Sequence, residues 1–184
     1  MPDYLALVAC GAPLAARAHD VAALAVEAGW LVRVVATRSA LDWIDQARVE
    51  QATGFPVLVD QRQPDQPKRF PPPAHVLVCP ATFNTINKLA AGIMDNYAAG
   101  LLCEALASHI PMTVVPMVST RLWDHPAWRL NLDTLAAAGV TFIDVRTGRA
   151  GKPEPVESGT GGDVVAAFDP SWPLAAAGRP AEKS

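Results

Sequence analysis

The sequence predicts an α/β protein, a Rossmann-like three-layer fold with a doubly wound parallel sheet of about six strands. Two observations predict this class. Short apolar runs, several of which end at Gly or Pro, alternate along the chain with segments of helix length and composition. Each run is apolar at successive positions, which is typical of parallel strands buried on both faces. In such a sheet the binding loops follow the carboxyl ends of the strands.

Six short runs rich in branched apolar residues are predicted as strands, the third being the weakest: 5–10, 31–36, 57–59, 76–79, 112–115 and 140–145. The segments between them are predicted as helices, several of them alanine-rich and ended by glycine: 15–28, a short stretch through 43–44, 84–91, 95–108 and 127–138. The segment 60–73 is polar and dense in proline, which cannot continue a helix or a central strand. We expect it to form a surface loop.

Composition limits what the protein can be. The chain has 184 residues, 51% of them hydrophobic and 18% charged, which excludes a disordered chain, a collagen-like repeat and a coiled coil. The formal net charge of −3 offers no attraction to nucleic acid or to an anionic membrane, so we expect a small partner and neither of those. We divide the chain into a folded domain, residues 1–148, and a tail, residues 149–184, rich in Gly, Pro and Ala and partly ordered at most.

The three cysteines, Cys10, Cys79 and Cys103, show no CxxC spacing and are odd in number, so neither a zinc site nor a disulfide framework is indicated. Cys10 and Cys79 end apolar runs and are interpreted as small buried hydrophobic residues, with a redox role as the alternative. No histidines stand at metal-ligand spacing, so we expect no metal. The sequence shows no basic leader and no apolar run of membrane-spanning length, and we expect a cytoplasmic location.

Four loops leave the predicted carboxyl edge of the sheet: 11–15, 37–43, 80–85 and 116–123. Gly11 either lets the backbone approach a phosphate at the following helix N-terminus or simply shapes a tight turn. Thr37 and Ser39 either bond a phosphate or a cofactor hydroxyl, or cap a helix. From these loops alone, both interpretations stay open.

The third loop carries a more specific pattern. PATFNTINKLAAGIMDN, residues 80–96, contains PxxxNT followed by KxAxGxxDN, and this resembles the PASANT segment of the homo-oligomeric flavin-containing cysteine decarboxylases. PMVSTRLW, residues 116–123, is similar to the PxMNxxMW motif of that family, and TRSALDW, residues 37–43, is similar to its T-x-x-A-x-x-F segment. The resemblance runs from about Leu5 to Val145. Phosphopantothenoylcysteine decarboxylases and the peptidyl-cysteine decarboxylases of lantibiotic synthesis belong to this family.

The resemblance implies that residues 1–148 bind FMN near a subunit interface of a homo-trimer or higher oligomer. It places Gly11, Ala12 and Pro13 at the phosphate or ribityl end, although the family has serine where this chain has Ala12. Trp43 either packs against the flavin ring or fills the core, and the core interpretation is favoured. The remaining residues implied to contact the cofactor are Thr37, Ser39, Thr82, Phe83, Asn84, Thr85 and Met117.

The chain also departs from the family at three catalytic positions. The family histidine upstream of the fourth strand would fall near Pro67 or Lys68, and no histidine lies between His19 and His75. His75 begins a predicted strand at the edge away from the binding loops, so a structural role is expected. Ser119 replaces the asparagine that contacts the substrate carboxylate. The family's clamp cysteine has no counterpart after Cys103.

Three functions stay open. The first is an FMN-dependent decarboxylase-like enzyme, whose substrate is a small molecule or peptide with a cysteine-derived carboxylate contacted by Ser119. The second is a non-catalytic FMN-binding regulatory or assembly subunit. The third is a flavin prenyltransferase, for which Arg121 and Arg129 would supply cations. His125, in a WxHPA stretch, is expected to cap or pack rather than to catalyse.

Overall fold

The computed structural model describes residues 4–62, 65 and 71–178, and all statements of structure below refer to these residues. The strands are β1 (Tyr4–Ala9), β2 (Leu31–Ala36), β3 (His75–Ala81), β4 (Met112–Pro116) and β5 (Thr141–Phe142). The α-helices are α1 (Ala18–Glu27), α2 (Gln46–Thr53), α3 (Phe83–Ala91), α4 (Tyr97–Ala107), α5 (Thr120–Trp123), α6 (Pro126–Ala137), α7 (Gly161–Ala167) and α8 (Trp172–Ala177). Short 3-10 helices, Pro13–Arg17 and Arg38–Ala40, follow β1 and β2.

The five strands form one sheet in the order β2-β1-β3-β4-β5, and every neighbouring pair is parallel. The predicted doubly wound α/β fold is therefore confirmed. The chain crosses from β1 to β2 on one side and from β3 to β4 on the other, so the strand order reverses between β1 and β3. Open parallel sheets bind ligands in the crevice outside the carboxyl ends of the strands at such a switch point.

The sheet has five strands because the weakest predicted strand, 57–59, forms only one bridge. Leu58 pairs with Val35 there: its N–H donates to the Val34 carbonyl at 2.9 Å and its carbonyl accepts from the Ala36 N–H at 2.8 Å. Pro56 before it has no N–H to donate, and the polar segment from Asp60 follows directly, so the ladder cannot extend. The sixth predicted strand, 140–145, is likewise shortened to the two residues of β5.

Alternate residues of the central strands face two separate cores, which gives the three layers. Leu5 and Leu7 of β1 pack with α1, α2 and α7 on one face, while Ala6 and Val8 pack with α3, α4 and α6 on the other. Both faces are buried, as the continuous apolar runs predict. No helix in the described part of the chain is both long enough and apolar enough to span a lipid bilayer.

The chain beyond residue 148 packs on the first of these cores as far as residue 178. The guanidinium of Arg17, before α1, donates to the Val165 carbonyl of α7 at 2.9 Å, and the Trp30 indole N–H donates to the Gly178 carbonyl at 3.4 Å. Val164 and Phe168 are buried in the same core. The division of the chain at residue 148 stays a prediction.

His75 lies at the amino end of β3, opposite the binding loops, as the sequence analysis expects. Its side chain is buried, and Nε2 lies 3.0 Å from the Thr113 hydroxyl on β4. Burial disfavours the charged imidazolium and lowers the pKa of His75 to about 4. The residue therefore has the surroundings of a neutral structural histidine.

This lowered pKa predicts a loss of stability in mild acid. The unfolded chain takes up a proton at His75 near pH 6.5, whereas the folded chain does so only near pH 4. The free energy of unfolding should therefore fall as the pH drops from 6.5 to 4, by at most about 3 kcal/mol from this group. Urea unfolding at a series of pH values measures this fall. In the His75→Gln variant, which cannot titrate there, an equally steep fall would contradict the assignment.

Candidate functional site

Backbone hydrogen bonds gather the four predicted loops at the carboxyl edge of the sheet. The Cys10 N–H, just after β1, donates to the Pro80 carbonyl at 3.0 Å, and the Thr37 N–H donates to the Ala9 carbonyl at 3.0 Å. The Met117 N–H, just after β4, donates to the Ala81 carbonyl at 2.9 Å. The ends of β1, β2, β3 and β4 therefore form one continuous edge.

The first and second loops touch at Gly11. A β-carbon placed on Gly11 would lie 2.5 Å from the Ser39 hydroxyl oxygen and 2.9 Å from the Ser39 backbone carbonyl oxygen. Only glycine fits at this distance. The hydroxyl oxygens of Thr37 and Ser39 lie 3.2 Å apart, so the two hydroxyls can act together on one ligand. Within the described residues, the Gly11 N–H has no hydrogen-bond acceptor.

The third loop opens α3. Thr82 is the N-cap: its hydroxyl accepts from the Thr85 N–H at 3.4 Å and lies 3.2 Å from the Thr85 hydroxyl. The N–H groups of Phe83 and Asn84, in the first turn, have no acceptor among the described residues, as expected for a helix N-terminus. The Asn84 side chain is exposed. These donors face the same edge as Gly11.

Cys10, just after β1, is fully buried beneath this loop. Burial raises the pKa of Cys10, against the opposing effect of Thr85, and burial also raises the pKa of Cys79. Both cysteines are thus the buried hydrophobic residues that the sequence predicts.

The two aromatic candidates differ in their surroundings. The Trp43 side chain is 44% exposed, so the interpretation that Trp43 fills the core is wrong. A short loop after Arg38–Ala40 leaves its ring at the surface, while the neighbouring Ile44 supplies the buried side chain. Phe83 is half-buried against α6, with its ring centroid 5.4 Å from that of Trp128.

His125 belongs to the same aromatic cluster and begins α6, as the sequence analysis expects. Its Nδ1 accepts from the Ala127 N–H at 3.2 Å, and its ring meets the Phe83 ring edge-on at 5.3 Å between centroids. Farther along the segment 80–96, the Lys88 ammonium donates to the Asp95 carboxylate at 2.6 Å, and Asn96 caps the N-terminus of α4. The Lys88 hydrogen bond holds the pKa of Asp95 below its usual range.

The fourth loop is covered by the segment after β5, part of which belongs to the tail that the sequence analysis separates from the folded domain. Ser119 bridges to Val156, and this bridge is flanked by two hydrogen bonds. A β-carbon on Gly161 would lie 3.0 Å from the Pro13 ring and 3.7 Å from the Met117 methyl carbon. The start of α7 thus closes the edge beside the first loop. The glycine-rich sequence GTGG, residues 159–162, gives no indication of these contacts.

Two cavities adjoin these elements. The one at the carboxyl edge has a volume of about 390 Å³; Thr37 is the single predicted cofactor residue in its lining, beside Arg38, Asp95 and Asn96. A larger one, about 630 Å³, lies along α4 near Tyr4 and contains none of the predicted site residues. The larger cavity is therefore not the predicted site.

Two further predictions concern metals and the family histidine. The positions of the family histidine, Pro67 and Lys68, lie outside the described residues. Within the described residues, no three His, Cys, Asp or Glu side chains come together as a metal site.

The donor set suits a ligand that carries a phosphate and hydroxyl groups. Unpaired N–H groups at a glycine turn and at a helix N-terminus bind anions, and the neighbouring threonine and serine hydroxyls bind polyols. The ends of β1 and β3 supply these groups at the topological switch point. The fold is that of a flavodoxin-like α/β protein, and these donors lie at the carboxyl edge of its sheet.

Comparison with known proteins gives the family. The model of the Flavoprotein family matches residues 4–166, and the chain belongs to this family. It is 31% identical to the coenzyme A biosynthesis bifunctional protein CoaBC of Mycobacterium bovis over 156 residues, 81% of this chain and 36% of that protein. The chain therefore spans only about a third of that protein's length, and the match to its Thermococcus kodakarensis counterpart covers 17% of that protein.

Solved structures agree with the fold. HAL3 from Cryptococcus neoformans has a TM-score of 0.69 at 21% identity, covering 90% of this chain and 93% of that one. The FMN-dependent cysteine decarboxylase TvaF from thioviridamide biosynthesis has a TM-score of 0.63 at 24% identity, covering 95% and 97%. The predicted resemblance to the flavin-containing cysteine decarboxylases is confirmed. The family name, Flavoprotein, denotes proteins that bind a flavin, and the predicted cofactor, FMN, is a flavin.

The contact between Gly11 and Ser39 predicts the effect of one methyl group. In Gly11→Ala, the new methyl group must displace the Ser39 backbone as well as its side chain, at a cost of about 1–3 kcal/mol of folding free energy. Urea unfolding measures the cost. Gly162→Ala is the matched control because a β-carbon there meets no atom within 4 Å. Equal stability of the two variants would show that Gly11 is not held against Ser39.

Proposed function

We propose that this protein binds FMN at the carboxyl edge between β1 and β3 and uses it to oxidise and decarboxylate a thiol-bearing, cysteine-derived carboxylate. The substrate is a small molecule or a peptide. One observation carries the proposal: in a member of the Flavoprotein family, unpaired N–H groups of Gly11 and of the first turn of α3 lie at the switch point. The hydroxyls of Thr37 and Ser39 complete the donor set.

In this proposal the chain's own residues divide the work along the edge. Gly11, Ala12 and Pro13, with the Thr37 and Ser39 hydroxyls, hold the phosphate and ribityl end. The cofactor residues of the third and fourth loops are Thr82, Phe83, Asn84, Thr85 and Met117, and the exposed Trp43 ring is free to pack against the flavin.

The reaction needs groups on both sides of the cofactor. FMN, when bound, supplies a two-electron acceptor for oxidation of the substrate thiol, after which carbon dioxide leaves. Asn84 presents an exposed amide at the α3 terminus, and Ser119 presents a half-buried hydroxyl that caps no N–H of α5. We assign Asn84 to orientation of both the flavin and the substrate, and Ser119 to orientation of the substrate.

The names of relatives support this class of reaction. Over 61 residues the chain is 38% identical to an epidermin decarboxylase of Staphylococcus epidermidis, and over 72 residues it is 39% identical to a cysteine/cysteine sulfinic acid decarboxylase. These matches cover 33% and 39% of this chain. They favour a cysteine-derived substrate over the dimethylallyl donor of a flavin prenyltransferase.

A second candidate is a non-catalytic FMN-binding regulatory or assembly subunit. It is favoured by the serine at position 119, where the family has asparagine, and by the lack of a cysteine after Cys103 in the sequence. Both candidates share the FMN site. They differ in whether a substrate reduces the bound flavin.

We also propose the homo-trimer or higher oligomer that the family resemblance implies. The exposed apolar side chains Trp43 and Met94 support it, at 44% and 51% exposure. Met94 lines the cavity at the carboxyl edge, so a neighbouring copy there would complete the surroundings of the cofactor.

Anaerobic mixing separates the two candidates. The FMN-loaded protein is mixed without oxygen with cysteine-derived carboxylates, free or at a peptide C-terminus, while flavin absorbance and released carbon dioxide are followed. The enzyme proposal predicts that the flavin is bleached and that the amount of carbon dioxide released in the first turnover equals the amount of flavin reduced. The same carboxylates with serine in place of cysteine are the matched controls. Stable FMN binding without bleaching by any thiol substrate would contradict the enzyme and support the subunit.

Asn84 tests the location of the cofactor site. Asn84→Ala removes the exposed amide at the N-terminus of α3. FMN binding should weaken roughly tenfold, which is the effect of losing one good hydrogen bond. Quenching of flavin fluorescence on titration measures the dissociation constant. Asn87→Ala, in the next turn, is the control: its Oδ1 accepts from Asn131 of α6 at 2.7 Å, away from the edge. Unchanged FMN affinity in Asn84→Ala, or an equal loss in Asn87→Ala, would remove Asn84 from the site.

A further inference from the structure

A buried carboxylate just after β5 has no part in the proposed cofactor site. Asp144 is 4% exposed, and its Oδ1 accepts from the Arg146 N–H at 3.1 Å, the Thr147 N–H at 2.9 Å and the Thr147 hydroxyl at 2.9 Å. Its Oδ2 accepts from the Glu154 N–H at 2.9 Å. A buried carboxylate is costly unless hydrogen bonds satisfy it, and Asp144 has four.

The four bonds join two separate parts of the chain. Those to Oδ1 close the turn 144–149, where the Asp144 N–H also donates to the Arg149 carbonyl at 2.9 Å. The bond to Oδ2 comes from the backbone N–H of Glu154, ten residues after Asp144 in the sequence. The carboxylate therefore ties the segment 150–154 to the end of β5.

This segment leads directly to Ser119. Val156, two residues after Glu154, donates its N–H to the Val118 carbonyl at 2.9 Å and accepts from the Thr120 N–H at 3.0 Å. These two bonds flank Ser119 on both sides. Because Val156 is itself buried, its position and that of the loop 118–120 are set together.

We propose that Asp144 is a positioning residue for the substrate: by fixing Glu154 and hence Val156, its carboxylate sets the Ser119 hydroxyl beside the flavin. The assignment rests on the proposed function for the role of Ser119. The Gly11–Ser39 contact and the Thr82 cap of α3 involve none of residues 144–156. Asp144 should therefore govern substrate affinity and leave FMN affinity unchanged.

Asp144→Asn tests this because an amide has only one acceptor oxygen and cannot satisfy both Glu154 and the turn. We expect the KM for the thiol substrate to rise roughly tenfold, with a smaller change in kcat and no change in the FMN dissociation constant. Amide hydrogen exchange at Thr120 and Val156 should accelerate by a similar factor. A purely structural role would instead weaken FMN and substrate binding together with stability.

A second variant isolates the connection to Ser119. Glu154→Pro removes the N–H that donates to Oδ2, together with the exposed glutamate side chain, and Glu154 already precedes Pro155, which restricts its backbone to extended conformations. This variant should reproduce the KM effect. Thr147→Val is the matched control, since it removes a donor to Oδ1 and leaves Glu154 bonded.

The outcomes separate the two proposals. Faster exchange at Thr120 and Val156 in Asp144→Asn and Glu154→Pro, but not in Thr147→Val, supports the positioning role. Unchanged exchange and KM in Glu154→Pro, or equal effects in Thr147→Val, overturns it. A wild-type protein that turns over no thiol carboxylate contradicts the proposed function alone, and the exchange data then still decide whether Asp144 sets the loop at Ser119.

Discussion

The close approach of Gly11 to Ser39 is the constraint on which the site depends. It brings the loop after β1 against the loop after β2 at a distance that leaves no room for a side chain. The bond from the Cys10 N–H to the Pro80 carbonyl then joins β1 to β3 at the same level. Through these two contacts, the donors of three loops share one edge, where a parallel sheet leaves its crevice open.

The edge has two sides with different origins in the chain. The proposed cofactor side consists of the loops after β1, β2 and β3 together with Met117, and the contacts among these three loops are made by backbone and hydroxyl groups. The proposed substrate side is built around Ser119, which is bridged to the segment after β5. Asp144 and Gly161 hold this segment in place from outside the family's cofactor motifs.

Most of the fold could be predicted because its strands are continuous apolar runs with clear ends. The strand predicted at 57–59 does not form, because Pro56 and the polar segment after Val59 leave only Leu58 able to pair with β2. Helix α2 was missed although Asp45 caps it and Gly54 ends it in the left-handed conformation, the usual signals of a helix. These signals lay in a polar segment without a strong apolar face.

The site was predictable to the extent that it follows strand ends. Gly11, Thr37, Ser39 and the α3 cap all come directly after strands, so the topology alone places them together. Trp43 could not be placed, because burial of one ring depends on packing that no local pattern reports. Asp144 begins a DVRTG turn, a recognisable aspartate-initiated turn, but its second oxygen reaches Glu154 only in three dimensions.

The most direct test of the central claim is an FMN titration followed through the backbone amide resonances of the protein. Saturable binding, with the largest shifts at Gly11, Ser39 and Asn84 and none at His75 or Thr113 on the opposite edge, is the result that this account predicts. Absence of saturable binding, or shifts that cluster around His75 and the amino ends of the strands, would contradict it.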